Sequence, residues 1–347
     1  MKILADLNYQ EIIDLAQDKG LPKFRAEQLY KAVIQSKDYY DCTNLPKELR
    51  VELAQEYILK PVKIKEVVTS QEDGTKKYLI SLTDGHVVES VFLKQSYGNT
   101  ICLSTQVGCR MGCKFCASTL DGLIRNLSNG EMLCIIALIN ADNGKATERN
   151  FTNIVLMGSG EPLDNFDNVI SFLHQVNDDK GFGISMRNIS LSTCGLVEKI
   201  EDLRKLDLDV TLCISLHAPN DTIRRTIMPI ANKYKIADIV ASLKKYISTT
   251  GRRAVIEYTL IEGVNDSDEA VRELAKTFKG MLVHFNVICI NPYDSKFIRP
   301  AQKKAYAFVG KLTKAGLSAT LRASHGADIQ SACGQLRNKR KMQGENV

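Results

Sequence analysis

From residue 102 onward the chain alternates short β-branched runs with helix-patterned stretches, and this alternation restricts the possible folds more than any other feature. The runs are "NIVLM" (153–157), "RNISLS" (187–192), "VTLCIS" (210–215), "AVIEYTLI" (254–261), "VHFNVI" (283–288) and "SATLR" (318–322). Between them lie stretches such as "FDNVISFLHQV" and "IADIVASLKKYI", whose apolar residues recur three and four apart. Strands separated by a helix pair in parallel through crossover connections. The expected fold class is α/β, a (βα) barrel closed or partly closed, with a doubly wound open sheet as the alternative. At 347 residues, with 44% apolar and 25% charged, the chain has ample material for such a core.

Two smaller units precede the barrel. Residues 1–58 carry three helical patterns, "YQEIIDLAQDKG", "FRAEQLYKAVIQ" and "PKELRVELAQEY", with Pro46 near the start of the third. Over residues 61–104 the period switches towards two, and "VKIKEVVTS", "KKYLISLT", "HVVESVFLK" and "TICLST" read as antiparallel strands, the first three joined by "EDG" and "TDG" turns. The expected division is a helical accessory domain over 1–58, a β extension over 59–98 and the barrel domain over 99–347. No apolar run approaches membrane-spanning length, and Asp6 and Asn8 interrupt the first apolar stretch, so a cytoplasmic protein with no membrane partner is expected. The net charge of +6 permits a polyanionic partner without demanding one.

Polar clusters stand at the ends of successive strands: "GSGEP" (158–162), "STCG" (192–195), "SLHAPN" (215–220) and "INPY" (290–293). In barrels the active site is assembled at that end, so the four should converge on one mouth. Ten cysteines in a cytosolic chain point to metal or redox chemistry rather than disulfides. Three of them, Cys109, Cys113 and Cys116, form a C-x3-C-x2-C run just after the first barrel strand; most of the scattered remainder should pack as small hydrophobes. A structural zinc site takes four ligands from paired motifs, and the chain offers no second pair among its five His and its other Cys. A 4Fe-4S cluster on three thiolates, with one iron open to a non-protein ligand, fits better.

The spacing C-x3-C-x-aromatic-C, with Phe115 as the aromatic, resembles the motif of the radical S-adenosylmethionine (SAM) superfamily. That resemblance implies a 4Fe-4S cluster on Cys109, Cys113 and Cys116, SAM on the free iron, and reductive cleavage of SAM to a 5′-deoxyadenosyl radical. "GSGEP" resembles the superfamily's Gly-Gly-Glu element, which makes Gly160 and Glu161 candidates for holding the SAM amino group. Further stretches, "CLSTQVGC", "RNL" (125–127), "MGSGEPLDN", "ISLHAPN", "GVND" and "ADIQSACGQL", resemble the RlmN family, from the helical unit to residue 337. Members convert adenosine to 2-methyladenosine in 23S rRNA and in tRNA. The resemblance adds Ser192, Ser215, Leu216, His217 and Asn291 as SAM contacts.

The same resemblance implies a two-SAM reaction. The Cys333 thiolate takes a methyl group from one SAM, a radical made from the second removes hydrogen from that methyl, and the methylene radical adds to adenine C2. Glu89 would accept the C2 proton, and Cys102 would attack the Cys333 sulfur, releasing the RNA and leaving a disulfide. The partners implied are the RNAs, an electron donor such as flavodoxin or ferredoxin, and a cytosolic disulfide reductant; a monomer is expected. Gly326 and Gly334 flank Cys333 as hinges of a loop expected to be mobile or alternatively ordered. RNA binding would fall to the helical unit and a basic rim that includes residues 337–341.

Two positions depart from the family pattern: Ser159 stands where Met is common, and Ala323, Ser324 and His325 replace a more basic stretch. Rival readings are an adenine-C8 methyltransferase sharing the reactive cysteines, a methylthiotransferase, which would need three more cluster cysteines upstream, and a non-catalytic RNA-binding protein with a structural metal.

Overall fold

The computed structural model describes residues 1–293 and 295–336. The N-terminal unit holds β1 (Lys2–Ile3), α1 (Tyr9–Asp18), α2 (Lys23–Ile34), α3 (Lys47–Glu56) and β2 (Tyr57–Ile58). Asn8 and Glu11 form a reciprocal capping box that starts α1, and Pro46 precedes α3. The parallel β1–β2 pair, too short to leave a sequence pattern, closes this unit on itself.

Next come β3 (Val62–Thr69), β4 (Lys76–Leu82), β5 (Val87–Leu93), β6 (Thr100–Cys102), β7 (Gln106–Gly108), β8 (Leu123–Asn126) and α4 (Asn129–Asp142). The rest alternates: β9 (Asn153–Leu156), α5 (Phe166–Asn177), β10 (Ile189–Thr193), α6 (Val197–Lys205), β11 (Thr211–Ser215), α7 (Asp221–Ile227), α8 (Ile236–Thr250), β12 (Ala254–Leu260), α9 (Asp268–Phe278), β13 (Val283–Cys289), α10 (Gln302–Lys314) and β14 (Ala319–Arg322). Every barrel strand read from the sequence is present within a residue or two of its expected limits.

The main sheet has ten strands in the order β14-β13-β12-β11-β10-β9-β6-β5-β4-β3. From β6 to β14 all neighbours are parallel and follow chain order. A doubly wound sheet reverses its strand order at a switch point, so this uninterrupted order decides for the partial barrel. Strands β3, β4 and β5 pair antiparallel, and β5 pairs with β6, so the extension continues the barrel's own sheet. The expected boundary between residues 98 and 99 thus falls inside one hydrogen-bonded sheet.

The helical unit is docked on the barrel through α4. That helix is buried all round over residues 129–140, packing against β3 and β4 and also against α2 and the turn Leu4–Asp6. This explains why it reads as uniformly apolar rather than amphipathic. The Asp6 carboxylate accepts from the Gly130 amide at 2.9 Å, and the Asn129 side chain donates to the Asp6 carbonyl at 2.9 Å. Among the described residues no helix is long and apolar enough to cross a membrane.

Candidate active site

After β6 the chain enters a small hairpin, β7 paired antiparallel with β8, and the cysteine run lies between its strands. Gly108 has φ +77°, and a Cβ there would sit 2.0 Å from the Gly122 carbonyl oxygen, so only glycine lets the hairpin close. The loop backbone is then tied on three sides. Cys109 N–H donates to Gly122 O at 2.9 Å, Lys114 N–H to Ile227 O at 2.9 Å, and Ala117 N–H to Gly334 O at 2.8 Å. Cys109, Cys113 and Cys116 all face one cleft at the C-terminal ends of the parallel strands, enclosing about 940 Å³ of open space with its mouth. Burial pushes the Cys109 thiol up to about 12 and raises those of Cys113 and Cys116.

Phe115, Gly160, Glu161, Ser192, Ser215, His217 and Asn291 line the same cleft; Leu216 does not. The Leu216 side chain lies in the core, and its amide and carbonyl are taken by Glu257 O and the Arg224 guanidinium. Gly160 adopts φ +112°, and a Cβ there would meet the Gln106 Cβ at 2.7 Å. Glu161 is buried, and its carboxylate accepts from the amides of Leu163 at 3.0 Å and Cys194 at 2.8 Å. Burial raises its pKa, and those amides oppose the rise by favouring the ion. The Ser192 and Ser215 hydroxyls, at the ends of neighbouring strands, are 3.1 Å apart.

His217 has φ +57° and receives the Thr259 amide on Nδ1 at 2.9 Å, which puts its own proton on Nε2. Burial, reinforced by the nearby Arg224, depresses its pKa to about 3, so the ring is neutral and can donate into the cleft. It meets the Phe115 ring edge to face at 5.0 Å. Asn291 is held through Oδ1 by the Arg299 guanidinium.

A second, smaller cavity adjoins the first and is lined by Val91, Leu93, Cys102, Leu336 and residues 323–325. Cys333 and Arg322 line both. Burial lifts the Cys102 thiol to about 12, with Cys333 adding to the rise and Arg322 opposing it. Glu89 lines neither cavity. It shares the β5 face with Val91 and Leu93 and stands 3.9 Å from the Lys77 ammonium. The segment 323–336 is tied to the turn between β3 and β4: Asp73 Oδ2 accepts from the Gly326 amide at 3.0 Å and pairs with His325 Nδ1 at 3.2 Å. Gln71 N–H donates to Asp328 at 3.2 Å, and Ser118 Oγ donates to Leu336 O at 2.9 Å. The expected hinges Gly326 and Gly334 have φ of +60° and +83°.

The donor set fits an iron-sulfur cluster. Each thiolate of a cubane binds its own iron, and the three cysteines reach one cleft from separate points of a single loop. Three soft donors share one cleft with a buried carboxylate and a neutral histidine.

The Radical SAM superfamily sequence model matches residues 103–275. A probable dual-specificity RNA methyltransferase RlmN of Lachnospira eligens is 47% identical over 345 residues, covering 98% of this chain and 97% of that protein. The corresponding protein of Alkaliphilus oremlandii is 46% identical over 338 residues, covering 97% of each. The crystal structure of a radical SAM methyltransferase from Sphaerobacter thermophilus superposes with a TM-score of 0.91 at 39% identity, over 97% of this chain and 99% of that one. The chain belongs to the RlmN family. It is therefore a radical SAM RNA methyltransferase, and the family implies SAM and a 4Fe-4S cluster as its cofactors.

Other features of this RlmN-family site left no mark in the sequence reading. Arg224 is wholly buried beneath the cleft, and Arg322 joins the two cavities. Cys194, within the "STCG" cluster expected at the mouth, and Cys289 line the cleft, while Cys42, Cys134 and Cys213 are packed. In the helical unit, eight Lys and Arg are outnumbered by ten Asp and Glu over residues 1–58, so net charge does not draw RNA there. The basic stretch 337–341 lies outside the described residues.

Proposed function

We propose that this enzyme methylates C2 of adenosine in 23S rRNA and in tRNA, using two SAM molecules and a methylated cysteine that is released through a disulfide. The observation that carries the reading is the position of Cys333, which opens on both the cleft of the cluster cysteines and the cavity of Cys102. One sulfur at a junction can take a methyl group on one side and meet a second sulfur on the other. The relatives' names, dual-specificity RNA methyltransferase RlmN, support an RNA substrate and a double specificity.

Cys109, Cys113 and Cys116 would hold the cluster, which together with SAM would supply hydrogen-atom abstraction. The chain's own residues do the rest. Glu161 offers a buried carboxylate for the SAM ammonium, and the Ser192 and Ser215 hydroxyls and the neutral His217 Nε2–H are hydrogen-bonding groups for its polar parts. Cys333, the one exposed cysteine among the described residues, carries the one-carbon unit. Adenine C2 is electron-poor and its hydrogen is not acidic, so a carbon radical on that sulfur reaches a position that displacement cannot. Glu89, 3.9 Å from the Lys77 ammonium, accepts the C2 proton. The adduct radical gives up one electron, which would return to the oxidised cluster. Cys102 then attacks the Cys333 sulfur as the carbon–sulfur bond breaks, and the carbon keeps the electron pair and takes a proton to become the methyl group. A cellular two-electron reductant reopens the disulfide. As further parts of the proposal, the enzyme acts as a cytoplasmic monomer, takes its electron from a flavodoxin or ferredoxin, and carries a helical accessory unit to residue 58 and a β extension to residue 98 that continues the barrel sheet.

Expression of the Cys102→Ala variant tests this. RNA bound covalently to Cys333 is expected, seen as slow-migrating, nuclease-sensitive protein. An RNA-free band with 2-methyladenosine still formed would overturn the assignment. Mass spectrometry of digested RNA separates 2-methyladenosine, the expected product, from 8-methyladenosine, which would overturn the regiochemistry.

A further inference from the structure

Arg224 heads the largest fully buried side chains, with 0% exposure. A guanidinium out of water needs an anion or a full set of acceptors. Here every hydrogen-bond acceptor is a carbonyl oxygen: Cys194 O at 2.6 Å, Leu216 O at 3.2 Å, Tyr234 O at 3.3 Å and Ser215 O at 3.4 Å. The carboxylate on its own helix, Asp221, is turned to the Ile236 amide at 2.8 Å. Burial lowers the Arg224 pKa, and the neighbouring Cys194, Cys113 and Asp221 oppose that fall. A cation has thus been buried beside a cluster cysteine with dipoles around it and, among the described residues, no ion pair.

The helix that bears it is braced to the cysteine loop. The Ile227 carbonyl, one turn on, accepts the Lys114 amide at 2.9 Å, and Met228 lines the cleft. The charge therefore stands at a fixed place relative to Cys113. Three thiolates on a doubly positive cubane core leave a net negative charge, and taking up one electron adds another. A cation nearby favours the more negative form, and cluster potentials respond to nearby charge.

We propose that Arg224 is a positioning residue for cluster reduction: a built-in counter-charge that makes the cluster easier to reduce, and hence SAM easier to cleave. This rests on the reading that Cys109, Cys113 and Cys116 hold a 4Fe-4S cluster. The alternative is a mechanical brace, with the same hydrogen bonds tying β10, β11 and α7 together and no effect on the electron.

The test is an EPR-monitored redox titration of the anaerobically purified full-length protein, with iron and sulfide counted first. Arg224→Met should shift the reduction equilibrium about tenfold towards the oxidised cluster, 59 mV for one electron, while Arg224→Lys should retain most of the wild-type potential. Asp221→Asn removes a partly exposed carboxylate from the far side of the same cation and should move the potential the other way, by about two- to threefold. A loaded Arg224→Met protein with an unmoved potential overturns the inference. If that variant does not fold, Asp221→Asn decides alone, and an unchanged potential there overturns it equally. A wild-type protein without iron and sulfide would instead overturn the cluster reading itself.

Discussion

The two cavities that meet at Cys333 are built by opposite means. The cluster cleft is walled by the ends of parallel strands, and its polar side chains are locked to backbone groups: Glu161 by two amides, His217 by one, Arg224 by four carbonyls. The Cys102 cavity is walled partly by the face of the antiparallel strand β5, and its roof is the segment 323–336, held by a few hydrogen bonds, three of them to Gln71 and Asp73 in the turn between β3 and β4. A fixed cleft suits a cofactor that must be positioned the same way each time it binds. A roof held by a few side chains suits a sulfur that has to serve two partners.

The largest break in that comparison comes from the fixed side. Cys113→Ala should lose bound iron and lower SAM cleavage by at least about a hundredfold, with hydrogen exchange over 323–336 unchanged. Iron analysis and 5′-deoxyadenosine formation check it. Cys102→Ala should do the reverse: full iron content and intact SAM cleavage, but multiple turnover reduced about a hundredfold as RNA stays on Cys333.

Asp73→Ala sharpens the contrast further. It removes two contacts to the roof, and bonds to a charged group contribute about 1.5–3 kcal/mol each at most. Faster hydrogen exchange in 323–336 and a drop in turnover of about three- to tenfold are expected, with iron content unaltered. Unaltered exchange would show that the roof is held elsewhere.

The smallest effect is in pH dependence. A thiol whose pKa is raised to about 12 by burial keeps its proton in the folded state when the unfolded chain has lost it. Stability contributed by Cys102 is therefore full below the unfolded value near 9 and falls as pH rises from there towards 12. By pH 10 the loss is about 1 kcal/mol. Denaturant melts of Cys102→Ala should show a shallower fall over that window than the wild-type chain; equal slopes would contradict it.

Much of this was legible in the sequence because the signals are local. Each parallel strand is an apolar run bounded by turn residues, and three cysteines seven residues apart end to end are a compact metal signature. The β7–β8 hairpin was missed because "QVG" and "LIRN" are too short and polar to show a period, and their pairing spans the whole cysteine loop. Arg224 and Arg225 are adjacent in "TIRRTI", yet one is wholly buried and the other exposed. Only the spacing of Arg224 to Ile227 and Met228, three and four positions on, hints at the difference. Glu89 and Cys102 were readable only through family resemblance, since a strand carboxylate and a buried thiol are ordinary by themselves.

The ten-stranded sheet never joins its first edge to its last. A barrel sealed all the way round admits only what can drop in from above, which caps the bulk of whatever it handles. An unsealed wall lifts that ceiling: a polymer far larger than the enzyme can rest against the gap and offer a single nucleobase sideways.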